Sequence, residues 1–97
     1  MMRIQVRARN VELSESLREH LGRRLGLALG RFGERIGKVN VRFTNADARV
    51  GGTDKRCRID VSLRPRSVTV EDTDADLFIA VDRATDRVSR SVARTFE

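Results

Sequence analysis

Arg83, Arg87, Arg90 and Arg94 recur at steps of four, three and four in the C-terminal segment DADLFIAVDRATDRVSRSVARTFE. On a helix those steps fall within a sector of about 60°. Such a column of guanidinium groups suits bidentate contact with phosphates. Like charges at i,i+4 cost roughly 0.2–0.5 kcal/mol a pair on an isolated helix. Within the segment only Asp86, four residues before Arg90, relieves that repulsion in the favourable order. The column is therefore easiest to explain if it meets a polyanion. A second basic row, His20, Arg24 and Arg31, sits at i, i+4 and i+11, with Arg23 and Arg35 nearby. If the two helices lie side by side, the rows form one basic surface. The competing reading is that exposed charge merely solvates the outer faces.

Other reactive side chains do not converge. His20 is the only histidine, and no Ser, Cys or carboxylate near it completes a triad pattern. Cys57 stands on the inward side of an alternating segment and reads as a small apolar core residue. Asp72, Asp74 and Asp76 lack the loop pattern of a calcium site. Helix capping and dipole compensation account for them better. Gly22, Gly26 and Gly30 share a helix face roughly opposite the apolar stripe. Either they admit an RNA backbone close to the helix, or they reflect weak selection on an exposed face, which is the simpler account. No metal, cofactor or small-molecule substrate is expected, and the chain reads as a non-enzyme.

These groups need a scaffold. Ile4, Val6 and Ala8 alternate with Arg3, Gln5, Arg7 and Arg9, which predicts a strand with one buried face. Ser14 is set to cap a helix whose stripe is Leu17, Leu21, Leu25, Ala28, Leu29 and Phe32. Gly33 and Gly37 are expected to help end it. Val39, Val41 and Phe43 predict a second strand, and residues 45–54, with Gly51-Gly52, a connection. Cys57, Ile59, Val61 and Leu63 predict a third strand. Pro65 marks a turn, and Val68 and Val70 a short fourth strand. The arginine-bearing helix starts near Asp74 and packs through Leu77, Val81, Ala84, Val88 and Val92. The fold class is thus α+β, in the order β-α-β-β-β-α. Both helices cover one face of a four-stranded sheet, and its first two strands are parallel.

The whole chain, 1–97, reads as one domain. Its formal charge is +6, and 18 of its 20 basic residues are arginine. That balance favours nucleic acid or an anionic surface. A GC-rich genome would also raise the arginine share. No apolar run reaches membrane-spanning length, and the N-terminus lacks the apolar core of a signal peptide, so a cytoplasmic setting is expected. The single Cys excludes an internal disulfide. With four Phe and no Trp or Tyr, base stacking on a single strand is disfavoured, and structured RNA read through its phosphates fits better.

Two segments resemble a known family. NVELSESLREHL (residues 10–21) and DLFIAVDRATDRVSRSVAR (residues 76–94) are similar to the opening and the last helix of the ribosome hibernation-promoting factor and ribosome-associated inhibitor family. The resemblance implies a fold like the double-stranded RNA-binding domain. It also implies binding to 16S rRNA in the mRNA and tRNA channel of the small subunit, on 30S and 70S ribosomes. Translation would be inhibited and idle ribosomes preserved in stress or stationary phase. Arg24, Arg87, Arg90 and Arg94 match basic positions of that family, whereas Arg83 and Arg31 have no clear counterpart. Leu27 stands where the family often has Lys, and the 51–61 stretch differs. The chain looks like the family's short form, without the domain that pairs ribosomes. The expected RNA contacts are His20, Arg23, Arg24, Arg31, Arg83, Arg87, Arg90 and Arg94. Two alternatives stand beside this reading: a general structured-RNA binder or RNA chaperone, and a protein-interaction modulator of transcription using Arg7, Arg42 and Arg58 on the wet sheet face.

Overall fold

In a computed structural model the chain runs β1 (Arg3–Arg9), α1 (Glu15–Leu29), a 3₁₀ turn (Gly30–Arg35), β2 (Ile36–Asn45), β3 (Lys55–Leu63), β4 (Ser67–Asp74) and α2 (Leu77–Thr95). The structure describes residues 2–45 and 54–97. The expected Gly51-Gly52 connection therefore lies outside the described residues, apart from its two ends. The sheet order is β1-β2-β3-β4. β1 pairs parallel with β2, and the other two pairings are antiparallel. The α+β expectation is met in order and in the parallel first pair.

Alternation decides which face is covered. Val39, Val41 and Phe43 of β2 and Cys57, Ile59, Val61 and Leu63 of β3 are buried, and the residues between them are largely exposed. Leu17, Leu21, Leu25 and Leu29 of α1 and Leu77, Ala80, Val81, Ala84, Val88 and Val92 of α2 close the same core. One sheet face is thus under both helices and the other is open. α2 packs on β3 and β4, with α1 beside it.

The departures from expectation have local causes. β1 has little buried face: Ile4 is 39 % exposed, Ala8 is exposed and only Val6 is half-buried. β1 is an edge strand with a neighbour on one side, and the helix layer is centred over the other strands. α1 ends at Leu29 rather than at a glycine pair. Gly33 then bends the 3₁₀ turn with φ 56° and ψ −127°, a backbone that residues with a Cβ rarely adopt. Gly37 lies within β2, beside the register shift between Ile36 and Val39. β4 reaches Asp74, so it is longer than its two valines suggest. The α2 cap is Asp76, not Asp74: its carboxylate accepts the Phe78 N–H at 2.8 Å. Ser14 caps α1 as expected, its Oγ accepting the Leu17 N–H at 3.1 Å.

Candidate nucleic-acid interface

α2 presents its arginine column on the flank toward β4, because its apolar stripe must face the sheet. β4 answers with carboxylates. Its inward positions read Val68, Val70, Asp72 and Asp74, so the last two lie under that flank. Arg83 donates from Nε to Asp72 at 2.9 Å and from Nη2 to the Thr73 carbonyl at 2.9 Å and to Asp74 at 3.2 Å. Arg87 Nη1 lies 3.5 Å from the other Asp72 oxygen. The Asp72 carboxylate is only 11 % exposed, so both guanidinium groups hold it where water reaches poorly. Its hydrogen bond is the main cause that raises the Arg83 pKa and keeps that group charged. Asp72 is thus a partner of the column rather than a helix cap, whereas Asp74 serves both ends: one oxygen accepts from Arg83 and the other accepts the Asp76 N–H at 2.8 Å just ahead of α2.

The upper half of the column differs. Arg90 and Arg94 are exposed, and among the described residues neither has a carboxylate partner; Arg94 donates only to Ser91 Oγ at 3.2 Å. Asp86 does not relieve Arg90. Instead it accepts from Arg24 Nη2 at 2.9 Å across the helix pair.

His20 and Arg24 of the α1 row face α2 and are already engaged. His20 Nε2 and Asp82 Oδ1 are 2.6 Å apart, and the His20 ring packs on Phe78 at 5.1 Å between centroids. Arg24 reaches Asp82 at 3.3 Å and the Asp82 carbonyl at 3.3 Å. Its Nε also donates to Thr85 Oγ1 at 3.4 Å. Ser89 donates to the Ala28 carbonyl at 3.0 Å. The two expected rows therefore do not merge. An acidic seam, Asp82 and Asp86, runs between them and clamps α1 to α2.

Arg23 is exposed on the outer side of α1, with no polar partner among the described residues. Arg31 and Arg35 lie over the Phe32 and Phe96 rings at 4.7 and 4.8 Å, and those rings pack on each other at 5.6 Å. The stacking holds the guanidinium planes while leaving N–H groups for an anion. Of the eight expected contacts, Arg23, Arg31, Arg90 and Arg94 are therefore open, and His20, Arg24, Arg83 and Arg87 are in carboxylate contacts.

The helix layer as a whole carries little net charge. Arg18, Arg23, Arg24, Arg31, Arg35, Lys55, Arg83, Arg87, Arg90 and Arg94 stand against Glu15, Glu19, Glu34, Asp72, Asp74, Asp76, Asp82, Asp86 and Glu97. The layer is balanced to within one charge, and most of the chain's positive surplus lies elsewhere.

The described residues hold no group of three or more His, Cys, Asp or Glu placed to bind a metal ion. Cys57 is fully buried, and burial, with the Asp72 charge behind it, pushes its thiol up to about 12. It is not a nucleophile near neutral pH. No described helix is long and apolar enough to cross a membrane.

Over residues 4–97 the chain matches the family described as Sigma 54 modulation protein / S30EA ribosomal protein. It is 30 % identical over 92 residues to the ribosome hibernation promotion factor of Deinococcus radiodurans, a match covering 93 % of this chain and 47 % of that relative. The chain therefore spans about half the length of the curated relative. It is similar to the crystal structure of the Protein Y N-terminal domain of Thermus thermophilus, with TM-score 0.76, 31 % identity and 93 % of each chain covered. A ribosomal subunit interface protein from Coxiella burnetii shares the fold, with TM-score 0.79 over 98 % of this chain and 97 % of that one at 18 % identity.

Proposed function

The chain belongs to the Sigma 54 modulation protein / S30EA ribosomal protein family, and from that premise we propose that it is a ribosome-binding hibernation factor acting in the cytoplasm. It binds 16S rRNA in the mRNA and tRNA channel of the small subunit, on 30S and 70S particles, and so blocks translation under stress or in stationary phase. It works by occupancy, with no turnover, metal or cofactor. The observation that carries this reading is relatedness along nearly the whole domain to a relative named for ribosome hibernation.

The geometry adds an order among the contacts. Arg23, Arg31, Arg90 and Arg94 meet phosphates first, because no carboxylate competes for them. Arg24, Arg83 and Arg87 must exchange a carboxylate for a phosphate, so each adds less net free energy. His20 acts behind them by holding α1 on α2. Four open guanidinium contacts give a log–log salt slope near −3.6 on a duplex-DNA scale, where each phosphate contributes about 0.9.

Co-sedimentation on a sucrose gradient, with 16S rRNA footprinting, tests this. Wild type is expected on 30S and 70S particles, with protections in the channel that are lost when mRNA and initiator tRNA are bound first. The Arg90→Glu/Arg94→Glu variant is expected to sediment less. Wild type staying at the top of the gradient at low salt would refute the proposal, as would protections outside the channel.

A further inference from the structure

The open sheet face carries the chain's positive surplus. Strand register sets outward residues side by side: Arg3 with Lys38, then Gln5 with Asn40, then Arg7, Arg42 and Arg58 in one line, then Arg9 and Arg56 flanking Thr44. Seven cations thus share the face with two carboxylates, Asp60 and Glu71. Seven less two is a surplus of five, against +6 for the whole chain. The carboxylates are already committed: Asp60 to Arg58 at 3.2 Å and to Thr69 at 2.6 Å, Glu71 to Arg56 at 3.2 Å. Among the described residues Arg7 and Arg42 have no carboxylate partner. Both line two shallow depressions of about 210 and 440 Å³.

Like charges directly opposite on neighbouring strands are unfavourable, and here three arginines stand in line. The nearly balanced helix layer lies across the full thickness of the domain. Exposed charges more than about 8 Å apart are largely screened at physiological ionic strength. The sheet face therefore presents its own positive field. No large ring lies on it, which leaves phosphates rather than stacked bases as the complementary group.

We infer that the open sheet face is a second RNA-backbone site, centred on Arg7 and Arg42, so that the domain is held between two RNA segments, one on each face. This deepens the ribosome reading and rests on it only for the identity of the RNA. A polyanion is favoured over an acidic protein because the face offers in-line guanidinium groups and no apolar anchor.

The test compares three charge-matched variants, each four units less positive than wild type: Arg7→Glu/Arg42→Glu on the sheet, Arg90→Glu/Arg94→Glu on α2, and Arg64→Glu/Arg66→Glu at the β3–β4 turn. Circular dichroism and thermal melts first establish that each folds. Arg7→Gln/Arg42→Gln, which relieves repulsion and keeps length, stands in should the reversal not fold. Affinity is read twice: by anisotropy with a labelled 20-base-pair duplex RNA across a salt series, and by sedimentation with 30S particles.

The sheet variant is expected to lose on the order of tenfold or more in duplex affinity and about two units of salt slope, one per lost phosphate contact. The turn variant is expected to lose much less. On 30S particles the sheet and α2 losses should multiply when the variants are combined. A sheet variant that matches the turn variant in affinity and slope overturns the inference and leaves the helix contacts standing. That holds also where it has lost binding to an acidic protein. Duplex binding that depends on Arg7 and Arg42, with no sedimentation of wild type on ribosomes, keeps the sheet site and refutes the ribosome reading instead.

Discussion

Cys57 offers the most quantitative test of the packing. The group is a weak acid whose pKa is raised in the folded chain, from 9.0 to about 12, so the native state prefers the neutral thiol. Stability from this group is complete below pH 9 and is lost as pH rises through the window from 9 to about 12. At pH 10 the unfolded thiol is one unit above its own pKa while the folded one is still protonated. Linkage then lowers the unfolding free energy by about 1.4 kcal/mol relative to pH 7. Other groups titrate in this range too, so the readout is a difference of differences. Urea melts of wild type and Cys57→Ala at pH 7 and pH 10 supply it. The alanine variant carries a pH-independent cavity cost, and wild type alone carries the additional loss of about 1.4 kcal/mol. With m near 1–2 kcal/mol/M for a domain of this size, that is a midpoint shift of roughly 0.7–1.4 M urea. The folded thiol should also react with a disulfide reagent at pH 8 only as fast as the chain opens. Identical pH dependence in the two proteins, or reaction at the rate of a free thiol, would refute the burial argument.

Gly22 and Gly26 lie inside α1, and a Cβ at either meets nothing within 4 Å. Gly22→Ala/Gly26→Ala is expected to stabilise by about 1–2 kcal/mol in all, seen as a rise in thermal midpoint. Unchanged duplex-RNA affinity would show that no RNA backbone approaches that face. Asp72→Asn releases Arg83 and Arg87 from their shared partner. RNA affinity should rise and the salt slope steepen by about one unit per guanidinium that reaches a phosphate, while the thermal midpoint falls. A flatter slope in an anisotropy salt series would contradict the exchange of carboxylate for phosphate.

Much of the scaffold was legible from the sequence because periodicity reports which side of an element is apolar. The alternation in 39–43 and 57–63 and the 3.6-residue stripes of both helices gave the core nearly residue for residue. The Ser14 cap followed from its place before the first leucine. Asp72 and Asp74 read only as capping groups because two polar residues at inward strand positions resemble a loop, although Asp74 does also accept the Asp76 N–H ahead of α2. Only the arginines of α2, 9 to 15 positions later, make them tolerable there. Ile4 and Ala8 read as buried because alternation marks an inward face, whereas cover depends on whether a helix lies over that strand.

The candidate contacts divide along the same line. Residue spacing is enough to put arginine columns on the helices and to alternate arginine with apolar residues along the strands. Tertiary structure decided which of those arginines are open. Asp82 and Asp86 meet His20 and Arg24 from about 60 positions away, and no local spacing announces that. Register alone lines up Arg7, Arg42 and Arg58 from three strands into the most positive face of the domain. The physical reason is that a helix or strand period fixes direction relative to its own axis. Ion pairing and surface charge depend instead on which other element packs against that direction.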